Sequence, residues 1–176
     1  MKKKSDSISK NLQSRKLVLD QIAEYLKEYS HSFFQTGNEI EIQMKGMNLP
    51  LRAVVSFNKG KLSVTYPEYI ISPGVFEQAF LLELLSLMSK YDVHFSINTD
   101  NASLSASLSN IIGKRIPSKN LFFDLLIIPA IVVDDTYPQL MKLIQKKDSF
   151  KITKHEKIEV DGIQKIFEAG KSYAIN

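Results

Sequence analysis

The residues able to do chemistry are few, and their spacing is poor for it. His31, His94 and His155 fall in three separate stretches and form no pair at metal-ligand spacing. Asp134 and Asp135 are adjacent, so on a helix their side chains point about 100° apart and do not converge as a catalytic carboxylate pair. A capping or solvated role fits them better. Gly113-Lys114-Arg115 places a glycine and two cations before a helix. It lacks the P-loop spacing of Gly, four residues, then Gly-Lys-Ser/Thr. The chain has no Cys, which excludes disulfides, thiolate metal sites and a thiol nucleophile. No catalytic set, metal site or cofactor is expected.

Charge is distributed unevenly. Residues 1–16 hold six Lys/Arg and one Asp, a net +5; residues 17–141 hold nine against thirteen Asp/Glu, a net −4. Residues 142–176 hold eight against five, a net +3. An acidic body is a poor phosphate-binding surface, and aromatic residues do not alternate with Lys/Arg on the strands. Nucleic-acid binding through the basic termini is therefore the alternative reading rather than the favoured one. Met1-Lys2-Lys3-Lys4 is followed by polar residues where a signal peptide needs an apolar core, and the apolar run 121–133 is too short for a bilayer. A cytoplasmic protein with no membrane span is expected.

At 176 residues the chain is expected to form one domain over 12–147, with a disordered basic tail over 1–11 and an extension over 148–176 that reads as a hairpin or short helix. Leu19, Ile22, Ala23 and Leu26 give a first amphipathic helix from about Leu12 to Tyr29. The stretch from His31 to Asn38 reads as a connection. Three strands follow, around Ile40–Met44, Leu51–Phe57 and Leu62–Tyr66, each alternating apolar with polar residues across turns rich in Gly and Asn. Further strands are expected over Val93–Asn98 and Ala102–Leu108, the latter with Ser103, Ser105 and Ser107 on one face open to water or to a partner. Ser118 caps a last helix from Lys119 to about Lys146, in which Pro129 and Pro138 predict a kink or break near Leu126 and another irregularity near Asp135.

Between the third and fourth strands lies the most strongly patterned stretch, 72–91. Ser72 and Pro73 suit a helix start. Phe76, Phe80, Leu84, Leu87, Met88 and Tyr91 share one helical face, and Val75, Ala79, Leu82 and Leu85 form a second. Glu83, Ser86 and Lys90 make a narrow polar strip expected to face water. One apolar face covers the sheet; the other needs a partner. Val75, Ala79 and Leu82, with Phe122 and Leu126 of the last helix, are the candidate partner or dimer interface, and a symmetric homodimer is the commonest such arrangement.

The expected architecture is α+β: an antiparallel sheet of about five strands packed against helices in the order α-β-β-β-α-β-β-α. With LVLDQIAEYLKEYS in the first helix, VHFSIN after the Leu-rich helix and VVDDTYPQLMKLI in the last, the chain resembles the YbjN family over roughly Leu12–Ile144. The resemblance implies the type III secretion chaperone-like fold. It also implies a small cytoplasmic protein that binds another protein or chain segment, and it carries no catalytic residues.

Overall fold

Alternation with a period of two puts one face of the sheet against helices and the other toward water. The computed structural model describes the backbone of residues 2–145 and the side chains of residues 13–145. Its elements are α1 (Lys2–Glu28), β1 (Phe33–Thr36), β2 (Glu39–Lys45), β3 (Pro50–Asn58), β4 (Lys61–Ile71), α2 (Gln78–Lys90), β5 (His94–Asn98), β6 (Ser103–Ile111) and α3 (Lys119–Gln145). The fold is α+β, in the expected order with one strand added.

The sheet is antiparallel throughout, in the order β1-β2-β3-β4-β6-β5. Ile40, Ile42, Ala53, Val55, Leu62, Val64, Tyr66, Phe95, Leu104 and Ala106 are buried on one face. All three helices lie there: α1 against β1, β2 and β3, α3 against β3, β4 and β6, and α2 against β5 and α3. Burying that face and the helix stripes above it is the main stabilising term, at about 25 cal/mol per Å² of apolar surface.

Four sequence expectations change. The first helix starts at Lys2 rather than about Leu12; this stretch has no Gly or Pro to stop a helix. The expected connection at Phe33–Thr36 is an edge strand, hairpinned to β2 across Gly37-Asn38. Its four residues are too few to show a period. The helix α2 starts at Gln78 rather than beside Ser72, because the Ser72 hydroxyl accepts from the Gly74 N–H at 3.3 Å and closes a local turn instead. Finally, α3 passes through both prolines without a break. The extension expected over 148–176 lies outside the described residues.

The continuity of α3 has a physical cause. Pro138 has no N–H to give to the Asp134 carbonyl, and the Asn48 side-chain amide donates to that oxygen at 2.9 Å. Near Pro129, the buried Tyr66 hydroxyl of β4 donates to the Leu126 carbonyl at 2.6 Å. Burial, with no charged partner, pushes the Tyr66 pKa well above its usual value. At Pro138 a side-chain donor thus supplies what the proline withholds, and at Pro129 the Tyr66 hydroxyl ties the neighbouring turn to the sheet. Tyr66→Phe should cost about 1 kcal/mol by losing a buried hydrogen bond, read as a lower urea midpoint at unchanged m-value.

The β4–β6 pairing also carries a register shift between Tyr66 and Ile70. Glu68 sits there at φ 47°, a region that disfavours a side chain. Its N–H donates to the Ser105 hydroxyl at 3.0 Å, and its carboxylate accepts from the Asn101 amide at 2.7 Å.

Candidate functional site

The helix α2 is a rod with two apolar faces and only one cover. Phe80, Leu84 and Leu87 are buried under it, and Phe76 stacks on Phe80 with ring centres 4.4 Å apart. The opposite face is open: Leu82 is 58% exposed and Leu85 61%, Ala79 is exposed beside them, and Val75, in the segment leading into the helix, is 82% exposed. Leu81 and Met88 flank this face and are partly exposed. Met88, expected on the buried face, lies at its rim.

Its lateral position is fixed by α3. The Gln139 amide donates to the Glu83 carboxylate at 2.5 Å, so Glu83 is half-buried against α3 while Ser86 and Lys90 face water as expected. Between the start of α2 and the end of α3 opens a cleft of about 170 Å³, lined by Ile71, Val75, Phe80, Met141, Leu143 and Ile144. On α3 itself Ile127, Ile128 and Ile131 are also partly exposed.

Of the five candidate interface residues, Val75, Ala79 and Leu82 are exposed, the last two on α2 and Val75 in the segment before it. Phe122 and Leu126 are fully buried in the core, facing the sheet and α1, and are not available to a partner. Because α3 is apolar nearly all round, spacing does not say which side is core. Leu85, Met141 and Ile144 belong to the surface and were missed as interface candidates, although Leu85 shares the Leu82 face by spacing.

The residues with chemical potential are spread out. His94 is exposed on β5, and His31 lies beside the Phe123 ring at 6.4 Å; His155 lies outside the described residues. Gly113 closes a turn: its N–H and that of Ile112 both donate to the Gly60 carbonyl at 2.9 Å. Ser103 is buried and donates to Asn101, so the serine row on β6 is only partly open.

Asp134 has a structural partner set. It is 7% exposed and accepts from the backbone N–H groups of Met47, Asn48 and Leu49 at 2.8–3.2 Å. Burial works against the charged form, but the three N–H donors outweigh it and hold the carboxyl below its ordinary pKa. Gly46 is needed for this approach, since a Cβ there would meet the Asp134 carboxylate oxygen at 2.3 Å and the Leu49 carbonyl at 2.6 Å.

Among the described residues no group of three His, Cys, Asp or Glu could hold a metal ion, and no helix is long and apolar enough to cross a membrane. No protein-family model matches the chain, and a search of curated proteins finds no match. Among solved structures the chain is similar to the heterodimeric complex ExoU-SpcU from the type III secretion system of Pseudomonas aeruginosa. That likeness has a TM-score of 0.46 at 13% identity, over 70% of this chain and 97% of that one.

Proposed function

We propose that this protein is a non-catalytic, cytoplasmic protein-binding module with a type III secretion chaperone-like fold. It takes a partner protein, a partner chain segment or a second copy of itself on the outer face of α2. One observation carries this: Leu82 and Leu85 of α2, and Val75 just before it, are more than half exposed, while the other face of the helix is used by the core. Holding three large apolar side chains in water forgoes about 1.5–3 kcal/mol each relative to burial, and a docked partner recovers it. The resemblance to the YbjN family, whose proteins bind other proteins, supports the same reading.

The test is a paired substitution. Leu82→Asp with Leu85→Asp is expected to weaken self-association or partner binding at least tenfold, measured by light scattering and by affinity capture with the purified chain as bait. The melting temperature should stay within a few degrees of wild type, because both side chains lie outside the core. The same mass in solution and the same captured proteins for both chains would overturn the proposal.

A further inference from the structure

The cleft at the end of α3 opens where the described chain stops. Met141, Leu143 and Ile144 line it from the last turn of α3, and Val75 continues it onto the exposed face of α2. Beyond Gln145 the sequence runs for 31 further residues and carries Ile158, Val160, Ile163, Ile166 and Phe167. Ile158 is 13 residues past Gln145, a distance that an extended chain covers in about 40 Å. The 13 residues of α2 span only about 20 Å. Every apolar residue on the outer face is therefore within reach.

Charge agrees. Residues 146–176 hold seven Lys and five Asp/Glu, a net +2, against −4 on residues 17–141. Tethering adds a large factor, because a joined segment meets its site at an effective concentration in the millimolar range. We propose, resting on the α2 face as a docking surface, that the occupant of the cleft and of that face in the resting chain is the protein's own segment 146–176. An outside partner then binds by displacing it.

The absence of native Cys makes the test clean. In the full chain, Val75→Cys is paired in turn with Ile158→Cys, Ile163→Cys, Ile166→Cys and Phe167→Cys, with Ser56→Cys on the far sheet face as the control site. The protein is oxidised at high dilution and mapped by peptide mass. At least one pair with Val75→Cys is expected to form an intrachain disulfide at least tenfold faster than any pair with the control. A chain ending at Gln145 is expected to bind an apolar dye severalfold more than the full chain. Equal rates at both sites, or interchain disulfides only, would overturn self-docking, and the second result would assign the face to a second copy. Neither readout uses a partner. Loss of the crosslink with Leu82→Asp/Leu85→Asp still abolishing association sinks self-docking alone; the crosslink with no effect of those substitutions on association sinks the binding function alone.

Discussion

Leu84→Ala should destabilise the protein by about 2–5 kcal/mol, the range for deleting a buried leucine side chain, whereas Leu82→Ala, on a face that only a docked segment covers, should cost about 1 kcal/mol or less. The two residues lie in the same helix, two positions apart, with the same side chain. Leu84 is 5% exposed and packs in the core with Phe80 and Leu87; Leu82 is 58% exposed. Helix propensity falls out of the comparison, because both changes are Leu to Ala in the same element. The cost at Leu84 combines the lost transfer of the side chain with the cavity left between α2 and the sheet, and how far α2 sinks into that space sets where the value falls. Urea unfolding of both variants against wild type measures the difference. A Leu84→Ala midpoint equal to wild type would mean that α2 does not cover the sheet. A loss at Leu82→Ala as large as that at Leu84→Ala would mean that the outer face is packed as tightly as the core, which a displaceable segment does not do.

The contrast at α2 was legible because helical spacing alone sorts Phe80, Leu84 and Leu87 from Val75, Ala79 and Leu82. The strands β2 to β6 were legible for the same reason with a period of two. Spacing fails where a helix is apolar on nearly every side. In α3 it offers Phe122 and Leu126 for the core or for a partner equally, and only packing against Tyr25 and the sheet decides for the core. It fails also at β1, whose four residues at the sheet edge bury little. The prolines show a different limit. A helix-breaking residue reports a missing donor, but the side chains that brace α3 there, Tyr66 on Leu126 and Asn48 on Asp134, come from 60 and 86 residues away in sequence. Asp134 belongs with them: its three N–H partners are in a turn that nothing near Asp134 in sequence announces.

That turn gives the second large effect. Asp134→Ala removes the acceptor for the Met47, Asn48 and Leu49 N–H groups together, and should destabilise the protein by about 1–3 kcal/mol. Met47 and Asn48 are exposed and regain some hydrogen bonding from water, which keeps the expected cost from reaching the sum of three bonds. The pH dependence distinguishes this cause from simple loss of packing. The Asp134 pKa is held below its ordinary value in the folded protein, so the charged form is the one that folding favours. The stabilisation is complete above the unfolded-state pKa of about 4 and is lost as pH falls through the lower folded value. Melting temperatures of wild type and Asp134→Ala should therefore differ by a constant amount from pH 7 down to about pH 5. Below about pH 4 the two should converge, because a protonated Asp134 no longer offers the carboxylate that gathers the turn. A gap that stays the same down to pH 2 would show that Asp134 acts through its bulk, and that the β2–β3 turn is held to α3 by Asn48 alone.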